Sequence, residues 1–414
     1  MRILFANWTD RMAGGAEDYI ASAARSLTER GHEVALAYQS SNGSHPALLQ
    51  HPEVQAIGPC QPSNDYLRST LEKWSPDIVY AHGVLDSMFE DMLRSLAPSV
   101  YFIHNYYGTC ISGLKSHQFP VVQACSKRFG PSCLLHYLPR RCGGANPLTM
   151  LRRYKEEAER LTSIREYNAL ITHSRHMTRE YEQHGIDSSK LFNFVGDYSD
   201  PTVGIQRSLE WDRDQVFNLL FVGRMEASKG GDVLLAALAP VLKELQRPIH
   251  LTMAGDGRER QRWQSLAERV TSQYSGVTVD FTGWLDTKAL TKCYEGSDLL
   301  IVPSLWPEPF GRVGLDAGAH GVPAVAFANG GIPDWLRDGL SGFLAKGDRL
   351  TSESLAQAIT AALKDRGVYQ RLQEGARKMS RKFGMDEHLN HLERVFRQVL
   401  ENNGCNVPEP SFCS

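Results

Sequence analysis

Two short segments of this chain combine cations and acids in a pattern suited to holding a phosphorylated sugar. In GRMEASKGG (223–231), Arg224 closes an apolar run and Lys229 follows five residues on. A strand end that feeds a helix already attracts anions through its unpaired N–H groups and the helix dipole. Arg and Lys at that place suit a diphosphate, because the guanidinium fork can bond two oxygens at once. In SLWPEPFGRVGLDA (304–317), Glu308 sits in a turn between two prolines and Asp316 comes eight residues later. The spacing puts Asp316 about two helical turns along, on the same general side. Pro309, Phe310 and Gly311 lie between them, and the glycine lets backbone approach a ligand closely. Carboxylates that accept from sugar hydroxyls, with cations that neutralise a diphosphate, are the parts a nucleotide-sugar site needs. Taken singly, the cations read as a solvated loop and the acids as a helix cap. That reading leaves the run of turn residues inside an apolar segment unexplained.

Weaker signals accompany these. AGDGRE (254–259) offers Gly255, Asp256 and Gly257 as a turn from strand to helix, as Gly223 does one strand earlier. Gly14 and Gly15 follow the first apolar run and allow backbone amides to face a phosphate. Glu17 reads as an acid complementing a helix dipole. His104 ends VYFIHN and His82 sits one strand earlier in YAHG, which makes His82 a cleft-lining residue at most. Asp334, in GGIPDW, reads as shaping the cleft.

The elements that must position these residues are strands alternating with amphipathic helices. ILFAN (3–7), VALAY (34–38), IVYAHG (78–83), VYFIHN (100–105), ALITHS (169–174) and FNFVG (192–196) read as buried strands. The stretch 14–31 between the first two carries Ile20, Ala23, Ala24 and Leu27 on one helical face and stops at Gly31. A second series follows a polar linker at 197–215: NLLFVGR, HLTMAGDG, VTVDFTGW, LLIVPS and PAVAF. The expectation is α/β, with two Rossmann-like doubly wound domains facing across a cleft. Their spans are 1–200, with a Cys-rich segment at 106–145, and 213–385. A last helix and loose tail occupy 386–414, the helix packing on either domain.

Composition narrows the class. The chain has 414 residues, is 42% hydrophobic and 22% charged, and carries a formal net charge of −2. That is a soluble globular composition without a nucleic-acid footprint. No run approaches the roughly 18 apolar residues of a membrane span. The start, MRILFANWTD, reads as a core strand and not a signal peptide, so the expected location is cytoplasmic.

The second half resembles the retaining glycosyltransferases of family GT4, on the GRMEASKGG and E-x7-D elements and the glycine turns quoted above. The resemblance implies the two-domain GT-B fold and transfer of a hexose-type sugar from a nucleoside diphosphate to a glycan, lipid-linked or small-molecule acceptor. It implies no cofactor for catalysis, UDP as the commonest donor nucleotide, and GDP next. Arg224 and Lys229 then hold and stabilise the leaving diphosphate. Glu308 contacts the donor hexose, and Asp316, where the family has Glu, contacts the ribose. Gly255, Asp256 and Gly257 line the base pocket, and His104 reaches the reaction centre. Alternatives are a nucleotide-sugar epimerase of the same fold, and a non-catalytic sugar-nucleotide-binding or scaffold protein.

Cys110, Cys125, Cys133 and Cys142 fall within one window, separated by 14, 7 and 8 residues. Clustered thiols in a reducing compartment suggest a structural zinc or iron–sulfur site, although no C-x-x-C pair is present, and free thiols or disulfides are the competing readings. The stretch 126–165 holds nine Lys or Arg against three Glu. A solvated face explains this by default; contact with anionic lipid or with an acceptor diphosphate is the functional alternative.

Overall fold

A computed structural model describes residues 1–12, 14–41, 46–48, 54–59, 65–84, 86–194, 215–347 and 349–405. The linker expected at 197–215 and the final tail therefore lie almost wholly outside the described residues.

Runs such as Ile3–Ala6 and Ala35–Ala37 have no polar alternation, and the structure buries them on both faces. Seven parallel strands form the N-terminal sheet, in the spatial order Gln55–Ile57, Glu33–Ser40, Arg2–Thr9, Ile78–Ala81, Ser99–Ile103, Ala169–Thr172 and Leu191–Asn193. Six parallel strands form the C-terminal sheet, in the order Val277–Gly283, Ile249–Ala254, Phe217–Val222, Leu299–Val302, Ala324–Phe327 and Gly342–Ala345. Each sheet has one core cluster on either face, so each lobe is a three-layer sandwich of helices about a sheet. In both sheets the order reverses beside the first strand. The reversal lies between Arg2–Thr9 and Ile78–Ala81 in one lobe, and between Phe217–Val222 and Leu299–Val302 in the other. Loops leaving the carboxyl ends of strands at such a reversal diverge and leave a crevice.

Helix Gly15–Glu29 buries Tyr19, Ile20, Ala23, Ala24 and Leu27, and Gly31 ends it with φ 84°. Four strands were not anticipated from sequence: Gln55–Ile57 and Gly342–Ala345, short and at sheet edges, and Ser116–His117 with Gln123–Ala124, a separate antiparallel pair.

The last helix, Met385–Asn402, joins the N-terminal lobe. Its Leu389, Leu392, Val395, Phe396 and Val399 complete the cluster around Ile3, Phe5 and Phe102, with the Phe396 ring 5.2 Å from that of Tyr80. Of the two placements left open for this helix, the structure takes the N-terminal lobe. No helix among the described residues is long and apolar enough to cross a membrane. Phe396→Ala should cost about 3–5 kcal/mol of unfolding free energy. Urea denaturation followed by tryptophan fluorescence measures it.

Candidate functional site

Arg224, Lys229 and Glu308 lie on the two loops that flank the strand reversal of the C-terminal lobe. Arg224 follows Phe217–Val222 directly; it is exposed and has no ion pair among the described residues. Lys229 lies in the single 3₁₀ turn Ala227–Lys229, ahead of helix Gly231–Leu245. Its Nζ is 2.7 Å from Glu308 Oε1, on the loop after Leu299–Val302, and 5.2 Å from the centre of the Trp306 ring. Ser304 Oγ donates to the same carboxylate oxygen. Glu308 is only 5% exposed, so the acid expected to be free for sugar is buried and already paired with the cation expected to be free for phosphate. Its Oε2 has no hydrogen bond among the described residues.

Backbone geometry fixes this pairing. Leu305 N–H donates to Ser228 C=O at 2.8 Å, bringing the two loops together. Gly230 takes φ 68°, and a Cβ there would lie 2.0 Å from the Pro303 carbonyl oxygen, so only glycine permits the approach. The turn 329–331 supports the loop from below: Gly331 N–H donates to Glu308 C=O at 2.7 Å and Asn329 Nδ2 to Ser304 C=O at 3.3 Å.

Asp316 lies in the first turn of the short helix Val313–Ala319, since 308–312 is not helical; this corrects the two helical turns expected between the acids. Arg312 Nε is 3.4 Å from Asp316, and its Nη1 is 3.8 Å from Asp18 of the other lobe. Gly255 serves packing between loops: a Cβ there would meet the Gly223 carbonyl oxygen at 2.0 Å. Met225 N–H donates to Asp256 C=O at 2.7 Å, joining the same two loops. The exposed Asp256 carboxylate, held by the Gly257 N–H and by Arg260, titrates below its ordinary range.

In the N-terminal lobe, Gly14 caps helix Gly15–Glu29 without a side-chain bond, and the space beside Gly15 is open. Glu17 is buried, accepts from Asn7 and Trp8, and is pushed up by burial. His104, just beyond Ser99–Ile103, is 3.0 Å from His82 through Nε2 and Nδ1. Burial, with His82 and His173 beside it, holds His104 well below the ordinary histidine value, so it is a neutral imidazole at pH 7. His82 is wholly buried, not cleft-lining. His173, unremarked in the sequence, continues the group to 6.2 Å from the Phe310 ring across the lobes.

Three further residues were not legible beforehand. Tyr106 donates its hydroxyl to Pro307 C=O at 2.8 Å, and its ring meets Trp306, which inserts into the N-terminal core. Ser174 Oγ donates to Pro309 C=O at 2.6 Å. Arg175 binds Asp334 through Nε at 2.7 Å, so Asp334 is an interlobe contact. Ser174 also caps helix Arg175–Gln183, and a serine just after an apolar run is the signal that could have marked it.

Among the described residues no group of three His, Cys, Asp or Glu side chains is placed to hold an ion. Cys110 packs in the main N-terminal core, accepting from Lys115 N–H at 3.2 Å, while Cys142 lies in a separate small cluster with Ile111 and Tyr137. Burial and the neighbouring thiols push Cys142 up to about 12, so it is a protonated thiol at neutral pH.

Two family models cover most of the chain: "Glycosyltransferase Family 4" over residues 13–192 and "Glycosyl transferases group 1" over 207–379. The chain belongs to the family 4, group 1 glycosyltransferases, and its two facing lobes are the GT-B fold. It is 29% identical over 240 residues to a D-inositol 3-phosphate glycosyltransferase of Salinispora arenicola, covering 57% of this chain and 53% of that one. It is 27% identical over 203 residues to an uncharacterized glycosyltransferase of Methanocaldococcus jannaschii, covering 49% and 50%. The chain thus spans about half the length of these curated relatives. Among solved structures, HepE of Anabaena in complex with UDP and glucose aligns with TM-score 0.64 at 18% identity, over 98% of this chain and 99% of that one. A glycosyltransferase from Rickettsia africae aligns with TM-score 0.68 at 18% identity, over 97% and 99%.

The buried histidines make this fold acid-sensitive. Burial, with neighbouring imidazoles adding to it, holds His82 and His388 down to about 3, and burial alone holds His173 down to about 4. An unfolded histidine takes a proton near pH ~6.5, whereas these native ones stay neutral, so the unfolded state binds more protons as pH falls. Stability is complete above ~6.5 and declines below it, by up to about 1.4 kcal/mol per pH unit for each histidine. Calorimetric Tm should fall on acidification, and His388→Phe should flatten that slope by about one proton.

Proposed function

We propose that this protein transfers a hexose-type sugar from a uridine diphosphate donor to an acceptor hydroxyl, with retention at the anomeric carbon. The observation that carries this reading is the Lys229–Glu308 pair across the strand reversal of the C-terminal sheet, with Arg224 exposed on the loop that carries Lys229. Lys229 has three N–H bonds to give, and Glu308 takes one, leaving donors for phosphate oxygens. Exposed Arg224 supplies the bidentate partner. As the sugar–phosphate bond breaks, negative charge collects on the departing diphosphate, and these fixed cations stabilise it in place of a divalent metal. Glu308 Oε2 accepts from a hexose hydroxyl, and Asp316 lies in the first turn of the next helix for the ribose. His104, neutral, exchanges hydrogen bonds with the sugar without adding charge. The acceptor approaches the same face as the leaving phosphate, which takes its proton. HepE binding UDP and glucose in a like fold supports the choice of donor. The setting proposed is the cytoplasmic side of a cell.

Arg224→Ala tests this cleanly, because the side chain is exposed and carries no structural ion pair. Donor turnover should fall about 100-fold or more while the melting temperature stays put. Turnover within a few-fold of the parent would remove the reading. Lys229→Ala should also lose turnover, and stability as well, since it strands the buried Glu308 carboxylate. Across UDP-, GDP-, ADP- and TDP-sugars, the largest upward shift in Tm should come from a UDP-sugar.

A further inference from the structure

The stretch 116–155 contains seven Lys or Arg and no Asp or Glu, in a chain whose formal net charge is −2. Six of the ten large hydrophobic side chains that stay exposed among the described residues lie in the same stretch, Leu135 at 76% and Leu148 at 77%. We propose that this segment is a docking surface for an anionic lipid bilayer, a property beyond the transferase reading and independent of it.

The arrangement follows helical spacing. In helix Pro147–Arg165, Leu148, Leu151, Arg152 and Lys155 fall at i, i+3, i+4 and i+7, one stripe facing solvent. The opposite face, with Met150 and Tyr154, packs against Ile111, Tyr137 and Cys142. The neighbouring helix Ser132–Tyr137 repeats the pattern, Tyr137 inward and Leu135 outward. Arg152 and Lys155 make only exposed pairs with Glu156 and Glu159, at 3.6 and 3.7 Å, and such pairs exchange readily for other anions.

Aliphatic tips flanked by long cations match the acyl–headgroup boundary: the leucines enter the apolar layer while Arg and Lys stay among phosphates. A nucleic-acid surface would instead present open aromatic planes for stacking. The exposed aromatic of this segment, Phe119, is already covered by the Arg141 guanidinium at 4.9 Å. The segment leaves the carboxyl end of Ser99–Ile103, the same sheet edge as His104, so a docked bilayer faces the side of the molecule that carries the site.

The test is co-sedimentation of the full chain with vesicles of equimolar phosphatidylglycerol and phosphatidylcholine, or of phosphatidylcholine alone. Binding should appear with the anionic vesicles only and weaken as salt is raised. Arg152→Glu with Lys155→Glu should weaken it at least about tenfold. Leu148→Ser with Leu151→Ser should abolish the fraction that survives high salt. All these positions are exposed, and the parent's melting temperature confirms folding of each variant; Leu135→Ser replaces any variant that fails that check. The proposal is overturned by no binding to anionic vesicles, by both double variants binding as the parent does, or by tighter binding to a single-stranded oligonucleotide. No readout involves sugar transfer, so failure here leaves the donor reading standing, and the converse holds.

Discussion

The Lys229–Glu308 ion pair is the constraint from which the C-terminal half of the site takes its shape. A carboxylate with a side chain only 7% exposed is costly unless its charge is paired and hydrogen-bonded. Here a lysine at 2.7 Å and the Ser304 hydroxyl meet both needs. Those partners come from the loops on either side of the strand reversal, so satisfying one buried acid fixes the distance between two strand ends. Gly230 is a consequence, since the Pro303 carbonyl comes too close for any side chain. Arg224 stays outside this arrangement, on the same loop and open to solvent.

The opposite lobe grips the acid's loop by backbone. The carbonyls of Pro307 and Pro309 flank Glu308 and are met by hydroxyls of Tyr106 and Ser174. Separating the lobes would exchange such bonds for bonds to water, at a net cost of about 0.5–1.5 kcal/mol each. Withdrawing Trp306 from the N-terminal core is different, because it exposes apolar area at roughly 25 cal/mol per Å². One tryptophan therefore sets most of the cost of opening, and it stands two residues from the acid it helps to position.

What the sequence disclosed follows from locality. Arg224, Lys229 and Glu308 were legible because each sits at the end of an apolar run, where a parallel sheet puts its functional loops. The pairing of Lys229 with Glu308 was not, because the acid's burial depends on a contact across 79 residues. Tyr106, Ser174 and Arg175 act on partners 201, 135 and 159 residues away, and no periodicity encodes that. The cysteines were legible as a group, for Cys110, Cys125 and Cys133 are the neighbouring thiols that act on Cys142, yet spacing alone says nothing of side-chain direction. The last helix had a clear apolar face whose destination only the tertiary structure reveals.

One helix connects the start of the basic segment with the lobe interface. Lys115, buried at the start of that segment, pairs with Glu180 of helix Arg175–Gln183 and donates to the Lys127 carbonyl at 2.7 Å. Phe129 N–H donates at 2.8 Å to Nε2 of His184, whose Nδ1 meets the Glu180 carbonyl at 2.6 Å. At the other end of the same helix, Ser174 caps it and bonds the C-terminal lobe, and Arg175 holds Asp334. Continuity of contact is not coupling; coupling requires an element with two arrangements that both ends bias. From this helix two contacts reach the loop of Glu308: Ser174 bonds the Pro309 carbonyl, and His176 Nε2 lies 2.8 Å from the Tyr106 hydroxyl that donates to the Pro307 carbonyl. Those two contacts are polar and replaceable by water, which makes them the place where such a second arrangement costs least.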